Sequence, residues 1–405
     1  MKLIVERTHL LAALKAVGHL ADRKAAILAV QNIRLRTQGD TLFVAATNLD
    51  AYAEAEIPAE VERQGCVAFA ADVLQRMVQN FAEGAQVRVD VGETTATIRA
   101  GRSRYQPPVL QGDDFPAIFE TRGEPARFTL MPEEVLRLFS LIKPAAAKGM
   151  KDRPYLEGVY LHASDDEAML WGVAGSGYVL LAADIPLPEG AAGLPKRIDP
   201  TEDDPRQQAR GVMVPLESVD HLLRMGGSGI EIETDANVLC ARTPPGGAVK
   251  VSYATRLIEN RYPPYERVVP PLHGPRITVE AGAFVAAVRR LADMAGDDDR
   301  AVAIEWGEEG DLSLWLDDHA AGTYGEETLE IGEREGVARV GIKSGFIMKA
   351  VEAVGRGRLE IWCAGEKAAT RFRNLDDPEL IAVASPRVLT RRPHHGPVFE
   401  TEDAA

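Results

Sequence analysis

Residues 342–363 read IKSGFIMKAVEAVGRGRLEIWC: a helical run of about ten to twelve residues, a glycine stop, then a strand of alternating apolar and polar residues. The same order occurs at 69–91, FAADVLQRMVQNFAEGAQVRVDV, and at 214–235, VPLESVDHLLRMGGSGIEIETD. Gly84, Gly226 and Gly355 take the stop position, where a left-handed backbone is least costly without a Cβ. The endings AQVRVDV, GIEIETD and RLEIWC have the period of two expected of half-buried antiparallel strands.

A second set of three precedes these in turn: VERTHLLAALKAVGHLA (5–21), FTLMPEEVLRLFSLIKPAAAKG (128–149) and ITVEAGAFVAAVRRLADMAG (277–296). Each opens with a short strand-like entry, passes a polar or acidic start signal and continues at helical spacing. Leu10, Leu11, Leu14, Val17 and Leu20 form one stripe; Phe284, Val285, Val288, Leu291 and Ala292 form another. Between the helices lie hairpin patterns: NIRLRTQGDTLFVAATN, GVYLHASDDEAMLWGVAG and AVAIEWGEEGDLSLWLDD. The chain therefore reads as an α+β protein of three tandem units of roughly 120–145 residues, each two helices against antiparallel sheets. The middle unit is longer because PEGAAGLPKRIDPTEDDPRQQARG (188–211) is inserted, which reads as a mobile loop.

The composition is 45% hydrophobic and 26% charged, with no apolar run of the roughly 18–20 residues that span a bilayer. No cleavage site follows MKLIVERTHLL, so secretion is not expected. Cys66, Cys240 and Cys363 are far apart and lack CxxC spacing, which fits packing thiols in the reducing cytoplasm. The formal charge of −15 argues against nucleic acid until its placement is considered. The six helical stretches together carry +7 and everything else carries −22. Helices sharing one surface would attract a polyanion while the exterior repelled it. Six helices in a circle leave a hole of roughly 9 Å, whereas twelve leave a bore near 28 Å. Two copies of the chain would therefore enclose a hydrated duplex.

Through about residue 389 the chain resembles the bacterial DNA polymerase III beta subunit, the sliding clamp. The resemblance is carried by MKLIVERTHLLAALKAVG, GRSRYQPPVLQGDDFP (101–116), VSYATRLIENRYPPYERVVP (251–270) and the three repeat helices in order. It implies three clamp domains, at 1–122, 127–272 and 276–389, a tail over 390–405 expected to be disordered, and a homodimeric ring around duplex DNA. It further implies a tether for DNA polymerase III, with its alpha subunit, the clamp loader and other clamp-binding proteins as partners, and with neither enzymatic activity nor cofactor. The Tyr-Pro-Pro elbow then helps wall a pocket for short partner peptides, where a stiff wall loses little freedom on binding. Matching positions are Leu156, Gly175, Gly177, Tyr178, Val179, Leu180, Pro263, Arg267, Val268, Val383 and Ser385. Lys24, Lys148, Lys151, Arg153, Tyr155, Arg224 and Lys349 match DNA contacts, made to phosphates so that the ring can slide.

There are departures. Tyr178 and Val179 stand where the family has a basic pair, and Ser385 stands where it has a methionine. Asp72 and Val73 replace basic positions. These changes point to a divergent or accessory clamp with an altered partner set. The competing class is a repeat-built α+β hydrolase or transferase, and a further alternative is a repeat scaffold that never encloses DNA. The glycine-rich GSGYVL, GGSG and GRGRL lack the P-loop Lys-Ser/Thr and read as turns. His394 and His395 have no third partner in the sequence for a metal. TEDDP and GDDDR are turn sequences, and His221 reads as a solvated or lining residue.

Overall fold

The computed structural model describes residues 1–194, 211–295, 300–318 and 322–389. Helices form at Arg7–Val17, Ala71–Gln79, Leu216–Met225, Ala281–Ala295 and Ser344–Val354, where the apolar spacing expects them. The first buries Leu10, Leu14 and Val17 of its stripe, with Ala13 between them. Carboxylates cap two of the starts: Glu6 accepts from the Thr8 N–H, and Glu280 accepts from those of Gly282 and Ala283. These bonds satisfy donors that the first helical turn leaves open.

Gly84 and Gly355 are left-handed as expected, with φ of 70° and 83°. Gly226 is not. Its φ is −67°, and the left-handed residue is Gly229 at 82°. Gly226 supplies room instead, since a Cβ there would come 2.6 Å from Val135 Cγ1. The helix expected over 132–149 is also corrected. It is a short α-helix, Pro132–Val135, a π-helical turn, Leu136–Ser140, and a separate 3-10 turn, Lys143–Ala145. Pro144 has no N–H, and its ring clashes with the carbonyl one turn back, so a continuous helix cannot pass. The insertion starts as folded chain rather than as a mobile loop. The 3-10 turn Ala191–Gly193 buries Ala191 and Leu194, and Gly193 lies against Ala126. Residues 195–210 lie outside the described residues, as does the tail 390–405.

Packing divides the chain into two compact units. One comprises 1–140, 151–172 and 185–262; the other comprises 141–150, 173–184 and the chain from Pro263. The division between Tyr262 and Pro263 falls inside the elbow. In the first unit, an antiparallel sheet orders Glu60–Arg63, Lys2–Glu6, Gln86–Val91, Ala96–Ala100 and Ser103–Tyr105. A larger one runs Leu110–Gln111, Cys66–Ala70, Asn32–Gln38, Thr41–Thr47, Ala51–Pro58, Lys250–Arg256, Val238–Arg242, Ile230–Thr234 and Ala126–Leu130. At its middle, Lys250 pairs with Glu56 and Thr255 with Ala51, so the first and second repeats share one sheet. The helices Arg7–Val17 and Ala71–Gln79 pack together, and the first lies on Ala51–Pro58.

In the second unit, Ala281–Ala295 packs beside Ser344–Val354. One sheet orders Thr323–Leu329, Leu312–Asp318, Ala301–Trp306 and Ala338–Lys343. Another continues from Val179–Pro186 through Ile381–Ala384, Thr370–Asn374, Arg358–Cys363, Arg276–Glu280 and Arg334–Glu335. Glu360 is buried there and held by Arg276 at 2.8 Å and Arg373 at 3.4 Å, the pairing that a buried carboxylate requires. Among the described residues, no helix is long and apolar enough to cross a membrane.

Candidate functional site

Gly175 ends the strand Met169–Gly175, and the chain reverses through Ser176 and Gly177. The Ser176 N–H donates to the Val179 carbonyl at 3.0 Å, and Gly177 has φ of 83°, which a side chain would resist. Tyr178 is thereby placed at the exit of the turn. Val179 then pairs with Ala384 and Leu180 with Val383, and the Ser385 N–H donates to the Tyr178 carbonyl at 2.7 Å. Val179, Leu180 and Val383 are buried. Tyr178 stays 58% exposed, its ring stacked on Phe346 at 5.3 Å, with Lys343 Nζ 5.4 Å from the Phe346 centroid.

Beyond Ser385 the Arg387 N–H donates to the Gly341 carbonyl at 2.6 Å. Leu389 lies over the same glycine, where a Cβ would come 2.5 Å from Leu389 Cδ2. The elbow from Pro263 onward belongs to the same unit. Pro264 caps the 3-10 turn Tyr265–Val268, Tyr265 is buried, and Arg267 and Val268 remain exposed. Of the expected pocket positions, ten fall in this unit, and buried Leu156 falls in the other.

The expected DNA contacts divide likewise. Lys24, Lys151, Arg153, Tyr155 and Arg224 belong to the first unit, Lys148 and Lys349 to the second. Lys24, Lys148, Lys151, Arg153 and Arg224 are exposed, and Lys349 is half-buried. None of these six cations forms a salt bridge among the described residues. Other cations do: Arg289 reaches Glu352 at 3.1 Å, Arg290 reaches Glu327 at 2.6 Å, and Arg76 shares Asp72 with Arg23, which lies in a turn beyond the first helix. The basic surplus read from the helices is thus partly neutralised locally. Tyr155 is half-buried, edge-on to Tyr262 at 6.4 Å, and Tyr262 stacks on Tyr160 at 4.7 Å.

A family model described as DNA polymerase III beta subunit, N-terminal domain, matches residues 1–119. The beta sliding clamp of Caulobacter vibrioides (strain NA1000 / CB15N) is 28% identical over 386 residues, covering 94% of this chain and 95% of its own. That of Escherichia coli (strain K12) is 24% identical over 360 residues, covering 87% and 90%. A crystal structure of the Caulobacter crescentus clamp, 26% identical, superposes with a TM-score of 0.86 over 96% of this chain and 99% of that one. The chain belongs to the bacterial sliding-clamp family.

Its function is that of a DNA sliding clamp. Within this clamp the sequence reading missed one polar contact and misplaced its residue. His221 is 1% exposed rather than solvated. Its Nδ1 meets Nε2 of His19 at 2.6 Å, and its ring stacks on Tyr253 at 4.0 Å. Burial draws both imidazoles down, His19 to about 4 with help from the charge of Arg224, His221 to about 3 with help from His19 and Arg224. Both are neutral at pH 7, and one ring proton bridges them. The available signal was position: Ser218, Val219, His221, Leu222 and Met225 share the buried face of their helix. Cys240 and Cys363 are buried as packing thiols, Cys240 being pushed up to about 11 by burial, whereas Cys66 is half-buried.

Proposed function

We propose that two copies of this chain close head to tail into a ring around duplex DNA. In this reading the Tyr178–Ser385 pocket recruits the DNA polymerase III alpha subunit, the clamp loader and other partners through short peptides. The observation that supports closure is how the repeats are joined. Ala51–Pro58 pairs with Lys250–Arg256, and Val179–Ala182 pairs with Ile381–Ala384, each an antiparallel meeting of strand edges. Two further edges are open and opposite in charge. Ser103–Tyr105 is exposed throughout and includes Arg104, with Arg102 before it; Thr323–Leu329 includes Glu326 and Glu327, with Glu330 after it. Pairing them between copies extends the same rule. An unlike pair of edges gives the heterologous contact that closes a ring.

Lys24, Lys148, Lys151, Arg153, Arg224 and Lys349 then serve as diffuse phosphate contacts. Such contacts hold a duplex without fixing its register, as sliding demands. The chain acts in the cytoplasm as a processivity factor without catalysis of its own, and its expected domains are 1–122, 127–272 and 276–389. A second reading, an accessory clamp with an altered partner set, is favoured by Tyr178 stacked on Phe346 and by Ser385 in the adjoining segment. Sedimentation should give twice 43.9 kDa. Clamp loaded on nicked circular DNA should be retained and then lost on linearisation. A monomer at micromolar concentration, or retention on linear DNA, would overturn the ring.

A further inference from the structure

We infer that Arg371 is a receiving site for one carboxylate of a partner protein, an Asp or Glu side chain. The site lies within the second unit and does not depend on the pocket reading above. Strand pairing places Glu335, Arg276, Trp362, Arg371, Val383 and Leu180 in one row across the sheet, on the same face and one strand apart at each step. Val383 and Leu180 are buried, Arg371 and Trp362 are half-buried, and Glu335 is exposed. Arg371 therefore stands where the covered part of the row gives way to the open part.

Pairing on this face is incomplete. Arg276 is held by Glu335 at 3.0 Å and by Glu360 at 2.8 Å, and Arg373 reaches Glu360 at 3.4 Å. Three guanidiniums thus share two pairing carboxylates, and Arg371 is the one left over. It forms no ion pair or hydrogen bond among the described residues, and its Nε is buried without an acceptor. Glu379 and Glu360 attract it without pairing, while burial and then the charge of Arg373 draw its pKa down. A buried donor without an acceptor is costly, and a carboxylate offers two acceptors in the geometry of the arginine fork. Trp362 stands next to it in the row, with Arg276 over its ring at 5.3 Å. A nucleic acid would bring several phosphates against Glu335, Glu360 and Glu379, whereas a single Asp or Glu meets the one unmatched cation.

The test uses the full chain carrying 5-fluorotryptophan, with the Trp362 fluorine resonance assigned by its loss in Trp362→Phe. N-acetyl-Asp-Leu-amide is titrated into it, with N-acetyl-Asn-Leu-amide as the neutral probe and an oligothymidylate as the nucleic-acid probe. The Asp probe should shift the Trp362 resonance saturably and bind about tenfold more tightly than the Asn probe, the difference that one charge-assisted contact makes. Arg371→Gln should bring the Asp probe down to the level of the Asn probe. Arg371→Lys, which keeps the charge and loses the fork, should restore part of the difference. Should Arg371→Gln fail to fold, the comparison of the two probes on the unmodified chain decides. Equal binding of the Asp and Asn probes, or no shift at millimolar probe, overturns the inference. So does Arg371-dependent binding of oligothymidylate that is tighter than that of the Asp probe, which would make the face a nucleic-acid surface.

Discussion

Where Ala51–Pro58 meets Lys250–Arg256, the paired residues Ala51, Ala53, Tyr253 and Thr255 are all buried, and Tyr253 carries the neutral His221–His19 stack on its face. The open edges Ser103–Tyr105 and Thr323–Leu329 instead expose arginines on one and glutamates on the other. The first is a joint formed once, during folding, and its buried residues are uncharged, with a hydrophobic gain proportional to the area they bury. In the proposed ring the others must find a second copy. Charge suits them because it steers encounter and rejects like against like, giving polarity to the association.

The strongest way to break this contrast is to reverse the basic edge. In the proposed pairing, Arg102→Glu with Arg104→Glu puts like charges against the exposed Glu326 and Glu330, a cost of several kcal/mol. The dimer dissociation constant should rise about 100-fold in sedimentation equilibrium. The thermal midpoint of the monomer should stay in place, because neither arginine takes part in the internal joint. A dimer of unchanged strength would show that the edges are not partners.

Acid tests the internal joint. With His19 held to about 4 and His221 to about 3, the folded state keeps both neutral where an unfolded chain, with its imidazoles near 6.5, already takes up protons. Stability is therefore level above pH 6.5 and declines as pH falls below it, down to the folded values. The loss by pH 5 should be on the order of 2 kcal/mol, after allowing for the partly exposed His19. Urea midpoints at pH 7.5 and pH 5 read it directly. His221→Phe should flatten the slope, and a slope that survives this change would place the titrating group elsewhere. Salt sharpens the same contrast: raising sodium chloride from 0.1 to 1 M should weaken the dimer about tenfold while the joint's contribution barely moves.

The sequence made the helices legible because each stripe is local, as at Leu10, Leu14 and Val17. It made the hairpins legible for the same reason, as in Asn32–Gln38 with Thr41–Thr47. Pro144 was in plain view and still lost to the periodicity around it; a helix interior cannot carry it. The left-handed residue of GGSG was placed three positions early, since both Gly226 and Gly229 fit the pattern and only packing against Val135 separates them. The strand joint and the His19–His221 contact join residues roughly 200 positions apart, and local pattern carries no record of such pairing. For the expected pocket, the turn at Gly177 was legible in the glycines of GSGYVL and Val383 came from resemblance, whereas its pairing with Leu180 and the Tyr178–Phe346 stack required coordinates.

The smallest effect separates the cations proposed to hold DNA from cations that hold the fold. Lys24→Ala and Arg153→Ala each remove a charge that forms no salt bridge among the described residues, so each should reduce the log–log salt slope of duplex binding by about 0.9. Arg289→Ala removes a cation already engaged with Glu352 and should leave that slope nearly unchanged. All three variants should sediment as dimers, because none lies in the joint or at the open edges. If Arg289→Ala alters the slope as much as Lys24→Ala, ion pairing on the helices does not divide the two classes. The duplex would then face the helix Ala281–Ala295 directly, and its Arg289–Glu352 pair would open when phosphate arrives.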